Sequence, residues 1–119
     1  MQSSYPEYRQ HLSAHVKTLA RELPGPITAF GQLHDRSLAD GALSGKVKEL
    51  MALAIGITAR CNGCIAYHVH DALQAGATRA EILETIGVAL MMGGGPAAVY
   101  GCEALEALQQ YETAERRIG

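Results

Sequence analysis

Two cysteines and a histidine stand at suggestive intervals in the stretch Cys61-Asn62-Gly63-Cys64-Ile65-Ala66-Tyr67-His68. On a helix, offsets of three and seven residues bring both sulfurs and the imidazole to one face. Cysteines so spaced at a helix N-terminus close a disulfide with little backbone movement, and the helix dipole there favours the thiolate, the reactive form of the thiol. His68, one turn beyond Cys64, is placed to accept the thiol proton or to stand beside the thiolate as imidazolium. Glu49 precedes this block at the head of an apolar stretch, where a carboxylate is either solvated in the first helical turn or buried with a partner. Facing His68, it would fix the tautomer of the imidazole and complete a Glu-His-Cys proton relay.

Competing chemistries fit less well. A c-type haem attachment is excluded because Ile65, not histidine, follows Cys64. Structural zinc needs four ligands, and beyond Cys61, Cys64 and His68 only Cys102 or Glu49 is on offer, with no second C-x-x-C. The run Gly93-Gly94-Gly95 has neither a strand before it nor a Lys-Ser/Thr ending, so it reads as a helix-breaking turn rather than a phosphate cradle. Cys102 reads as a packing residue, with an auxiliary-thiol role as the alternative. His70, two positions from His68, points elsewhere and reads as a surface residue. His11, His15 and His34 have no partner at the level of sequence and read as surface or interface positions. Tyr67 and Tyr100 read as helix-packing aromatics ahead of site-entrance residues.

The elements that must hold these residues are all helical. No alternating β-branched stretch suggests a sheet, and Gly, Pro and capping residues cut the chain into about six helix-length pieces. The first covers about Tyr5 to Leu23 and is stopped by Pro24-Gly25-Pro26; the second begins at Pro26 and runs to about Ala39. Ser44 caps a third over about Gly45 to Ala59. The fourth opens near Arg60 or Cys61 and ends at Gly76. Thr78 and Glu81 form a capping box for a fifth, which runs to about Met92. Pro96 opens the sixth, which leads into a charged tail, Glu112 to Arg117, expected to fray. The third piece contains LMALAIGITA from Leu50 to Ala59 without a charge, and a helix apolar all round must be buried on every side. A chain this short has few places to bury it, so subunit association is expected.

Composition sets the outer limits. The chain has 119 residues, a formal charge of -2, and 48% hydrophobic but only 5% aromatic residues, enough for one all-α domain over 1–119 with a packed core. Three cysteines cannot form a closed disulfide framework. Without a basic patch, nucleic-acid binding has no support, and no apolar run approaches the ~20 residues of a membrane span. The start, Met1-Gln2-Ser3-Ser4-Tyr5, lacks the plan of a signal peptide, so a cytoplasmic protein is expected. In that reducing compartment a cysteine pair is more often redox-active or metal-binding than structural.

The order Glu49, eleven residues, then Cys61-x-x-Cys64-x-x-x-His68 resembles the core of the alkylhydroperoxidase D-like branch of the carboxymuconolactone decarboxylase family. Ala75-Gly76-Ala77-Thr78, the helix with Glu81, Ile82 and Glu84, and Gly93-Gly94-Gly95-Pro96-Ala97 extend the resemblance over residues 34–111. It implies an all-α fold in homo-trimers or hexamers, and peroxidase or disulfide-reductase chemistry without haem, flavin or metal. It implies further that Cys61 and Cys64 are the redox pair, His68 the proton-transfer residue and Glu49 its carboxylate partner. The substrate would be a small hydroperoxide and the reductant a dithiol, lipoyl or thioredoxin-like. Alkylhydroperoxidase D has a histidine between its cysteines where this chain has Gly63, so part of that enzyme's proton handling is absent. The decarboxylase branch generally lacks the cysteine pair. The sequence thus points to a thiol peroxidase or disulfide oxidoreductase with Cys64 attacking, and the reverse assignment to Cys61 stays open. The alternatives are a lactone-decarboxylase-like lyase using Glu49 and His68, and a redox-sensing or metal-binding oligomeric module.

Overall fold

The computed structural model describes residues 3–118; Met1, Gln2 and Gly119 lie outside the described residues, and with them part of the N-terminal reading. Six α-helices follow one another with no strand among the described residues: α1 Tyr5–Glu22, α2 Pro24–Leu38, α3 Gly45–Thr58, α4 Asn62–Gln74, α5 Arg79–Gly93 and α6 Gly95–Ile118. None is long and apolar enough to cross a membrane.

Most boundaries follow from local chemistry. Ser44 Oγ accepts the Val47 N–H at 3.2 Å, and Thr78 with Glu81 makes a reciprocal capping box that starts α5. That backbone bond from Thr78, with Lys46 adding to it, holds the Glu81 carboxyl below the usual range. A capping box of Ser4 and Glu7 also opens α1. Gly76, at φ +95°, closes α4 in the left-handed region, with the Ala77 N–H bonded to Ala72 O.

Two expectations need correcting. Helix α2 starts at Pro24 rather than Pro26, because a proline at the first helical position lacks only an N–H that would be unbonded anyway. Pro24 therefore ends one helix and begins the next, with Leu23 as the cap of both. The tail does not fray at Glu112: α6 continues through Ile118, and an Arg79–Glu112 ion pair ties it to the start of α5. A third expectation stands: this short chain does not itself enclose the charge-free run of α3, for Leu53, Gly56 and Ile57 are buried while Ile55 is 65% exposed.

Helices α3 to α6 pack side by side around a core of Leu53, Ile57, Ile65, Val69, Ile82 and Leu108. Helix α1 lies across α4 and α6, where Tyr5 donates to Glu103 at 2.5 Å and Tyr111 donates to Ala66 O at 2.7 Å. Burial raises the pKa of both phenols, and the Glu103 hydrogen bond raises that of Tyr5 further. Both stay protonated in the folded chain beyond the ordinary value of 10.0. Above that pH the unfolded chain sheds protons that the folded chain keeps, so stability is undiminished below pH 10 and falls as pH rises past it. The melting temperature followed upward from about pH 9 should drop past pH 10; a flat profile would contradict this.

Between α3 and α4 the chain turns at Arg60, a non-glycine residue held at φ +57°. Its N–H bonds to Ile57 O, and the next N–H, of Cys61, bonds to Gly56 O at 3.0 Å. This pattern is normally built on glycine, and a side chain in the left-handed region costs about 1–2 kcal/mol. Arg60→Gly is therefore expected to raise the melting temperature by a few degrees, part of the relief being offset by the freer unfolded chain. Calorimetry reads the change, and a lower melting temperature would show that the Arg60 side chain stabilises the turn.

Candidate active site

That turn delivers Cys61 to the N-terminus of α4, where it serves as the N-cap. Its sulfur accepts the backbone N–H of Cys64 at 3.0 Å and is joined to the Cys64 sulfur in a disulfide, the two Cα atoms 5.2 Å apart. The N–H and the positive end of α4 stabilise negative charge on Cys61 whenever the pair is opened.

Helix α3 comes unusually close behind the pair. A Cβ added at Gly56 would sit 2.9 Å from Cys64 Cβ, inside any real contact distance, so glycine alone permits this approach. Two turns earlier on the same face, Glu49 is buried and meets His68, its Oε1 2.7 Å from Nδ1. An ionised carboxylate only accepts, so Nδ1 donates and Nε2 is left for other work. The sequence left Glu49 either solvated or partnered; it is partnered, and by His68.

Two further groups enter that spacing alone did not supply. Asp71, one turn beyond His68, brings a carboxylate oxygen within 4.8 Å of ligand atoms of Glu49 and His68. These three could crowd a cation, but His68 Nδ1 is already committed to Glu49 and both neighbouring sulfurs are tied to each other. An i+3 offset from a candidate histidine was the signal available for Asp71. His34, read as partnerless, in fact lies over His68, with ring centroids 6.3 Å apart and planes 25° from parallel.

Other candidates fall outside the site. His70, read as a surface residue, is half-buried: its ring lies 5.5 Å from that of Tyr111, with Nδ1 2.8 Å from Asp71 Oδ1. Cys102 is exposed rather than packed. Tyr67 exchanges a 2.6 Å hydrogen bond with Ser13 under the Arg9 guanidinium, and Tyr100 packs against the core. His11 and His15 are exposed on α1, as expected. Asn62 Oδ1, beside the disulfide, is buried without a partner.

With this geometry in view, similarity to known proteins becomes informative. Residues 26–107 match the model of the carboxymuconolactone decarboxylase family. The chain belongs to that family. An uncharacterised protein of Cupriavidus necator is 36% identical over 87 residues, which is 73% of this chain and 77% of its relative. One from Haemophilus influenzae is 32% identical over 107 residues, 90% and 95% of the two chains. A carboxymuconolactone decarboxylase family protein from Legionella pneumophila superposes with a TM-score of 0.87 at 37% identity, covering 90% of this chain and 96% of that one. Another, from Thermotoga maritima, for which a part in an antioxidative response has been suggested, superposes at 0.72 with 32% identity over 76% and 93% of the chains. Membership of the carboxymuconolactone decarboxylase family agrees with the all-α fold, and the Cys61–Cys64 pair with Glu49 and His68 nearby is compatible with its alkylhydroperoxidase D-like branch.

Proposed function

We propose that this protein is a thiol-dependent peroxidase or disulfide oxidoreductase that works through Cys61 and Cys64 in the cytoplasm. The observation that carries the reading is the closed Cys61–Cys64 pair at the N-terminus of α4, one turn from a buried His68–Glu49 hydrogen bond. The antioxidative part suggested for the Thermotoga relative points the same way.

In the proposed cycle the Cys64 thiolate attacks the distal oxygen of a small hydroperoxide. The O–O bond breaks, Cys64 becomes a sulfenic acid, and the departing alkoxide leaves as the alcohol after taking a proton from His68. Cys61 then attacks the Cys64 sulfur, the S–O bond breaks, water leaves, and the disulfide forms. A dithiol of lipoyl or thioredoxin-like type reopens it by attacking Cys64, expelling Cys61 as the thiolate that the α4 N-terminus stabilises; its second thiol then displaces Cys64 and closes the dithiol's own disulfide. Glu49 holds the imidazole in the tautomer and orientation this requires. No haem, flavin or metal takes part.

A peroxide-consumption assay with candidate dithiols, a lipoyl domain among them, tests the proposal. Turnover with at least one dithiol is expected; none with any donor would overturn it.

We further propose that the chain works as a homo-oligomer, a trimer or hexamer. Ile55 on α3 and Val88, Met91 and Met92 on α5 are all more than half exposed, on helices that pack against each other. Exposed apolar side chains in such numbers mark an association surface. Light scattering should give a multiple of the 12.7 kDa subunit mass, and Ile55→Glu with Met92→Glu should yield monomer. A monomeric wild type would rule the assembly out.

A further inference from the structure

We propose that His34 is the solvent-side member of the proton path, passing protons between bulk water and His68 while the Cys61–Cys64 pair opens and closes. This rests on the thiol–disulfide reading above.

The need for such a residue follows from burial. Glu49 and His68 keep only 12% and 16% of their side-chain surface, and His68 Nδ1 is occupied by Glu49. Each opening of the disulfide by a dithiol sets free two protons that the sulfurs, His68 or water must take up, and each reduction of a peroxide consumes a proton at the leaving oxygen. A single enclosed imidazole must be recharged from outside after every transfer.

Two approaches to the pair can be compared. On the α1 side, a Cβ at Gly63 would meet Leu12 Cδ1 at 3.1 Å, so the place where alkylhydroperoxidase D has a histidine is here backed by a methyl group. The methyl that fills this place carries no proton to give or take. On the α2 side stands His34, its side chain 42% exposed and its ring 6.3 Å from that of His68. The spacing is suited to one bridging water, and imidazole is the side chain that both gives and takes a proton near neutral pH.

The surrounding groups suit a relay. Asp35, on α2 itself, lies 3.2 Å from His34 Nδ1. Glu49 from α3 and Asp71 from α4 face His68, and His70 is bonded to Asp71. The path thus runs from solvent to His34, to His68, to sulfur or oxygen, with Glu49 anchoring the inner ring. Helix α2 has no buried residue, so delivering this imidazole is a role that its packing alone does not explain. His34 acts through His68 and does not touch sulfur.

The test uses dithiothreitol, one equivalent of which opens the disulfide and is itself oxidised to the cyclic disulfide. The opening rate is followed by stopped flow on the oxidised full-length protein in dilute, non-imidazole buffer, for wild type, His34→Ala and His34→Gln. Both variants should retain the wild-type circular dichroism, since His34 is exposed. Both should be slower by about tenfold, less than the roughly 10²–10⁴-fold of a group that transfers the proton directly, because His34 acts through His68. Added imidazole should restore His34→Ala in proportion to its concentration. An unchanged rate, or a loss that imidazole does not restore, would overturn the proposal, since a structural defect is not repaired by a free base. The readout needs no peroxide. A chain inert to peroxide that still shows the rescued loss would remove the peroxidase reading and keep His34; peroxide turnover with indifferent His34 variants would do the reverse.

Discussion

Cys64→Ser should lower dithiol-dependent peroxide consumption by about 10³-fold or more, the loss expected when the attacking atom itself is removed. Cys61→Ser should fail differently. It keeps the attacking thiol but not the one that resolves the sulfenic acid, so it should complete the first step and stop. A sulfenic-acid trap should then label Cys61→Ser at Cys64 and leave Cys64→Ser unlabelled. The structure gives Cys61 a backbone N–H at 3.0 Å, which suits it to leave as thiolate when the disulfide is reopened. Labelling of Cys64→Ser alone would reverse the assignment and make Cys61 the attacking residue.

The second large effect is expected at a residue with no reactive atom. Gly56→Ala puts a methyl group 2.9 Å from Cys64 Cβ, with the Cys64 backbone behind it at 3.8 and 3.9 Å. Nothing there is the free end of a flexible chain, so the two helices must part. Overpacking of this kind costs about 1–3 kcal/mol, against a gain of about 1 kcal/mol from alanine's better helix propensity. The clash wins, and the melting temperature should fall by several degrees. Because Glu49 lies two turns from Gly56 on the same face, parting α3 from α4 also strains its 2.7 Å contact with His68. Disulfide opening by dithiothreitol should slow as well. Gly31→Ala is the control: nothing lies within 4 Å of its added Cβ on α2, away from the exposed faces of α3 and α5, so there propensity alone acts and stability should rise. If the two substitutions have the same sign, close approach is not what Gly56 provides.

The limits of what the sequence discloses follow from the same particulars. Helix boundaries at Ser44, Thr78 and Gly76 are legible because a cap is a local arrangement whose partners lie within a few residues. The C-x-x-C-x-x-x-H face is legible for the same reason, being one helix's own periodicity. Glu49 is half legible, since its position is plain but its partner lies on another helix. Asp71 is legible as an i+3 neighbour of His68, whereas His34 joins His68 only once α2 has docked, and the place of α2, apolar enough to pack yet left on the outside, is not written in its own residues. Gly56 is hidden in an apolar run where a glycine required by contact looks like one merely tolerated. The contact of His70 with Tyr111 is not legible, because an offset of two residues says only that it faces away from His68, not that α6 waits on the other side.

The sulfur of Cys61 belongs to two structures at once, the disulfide and the cap of α4. An opened disulfide leaves that sulfur its lone pairs for capping the same helix terminus, and a thiolate accepts more strongly than a disulfide sulfur. The helix therefore has no reason to unwind or re-register between oxidation states. A sensor needs its two states to differ in shape so that a partner can tell them apart. A cap that serves in both states argues against signalling and for a reagent, consumed and regenerated in place on a backbone that does not record which state it is in.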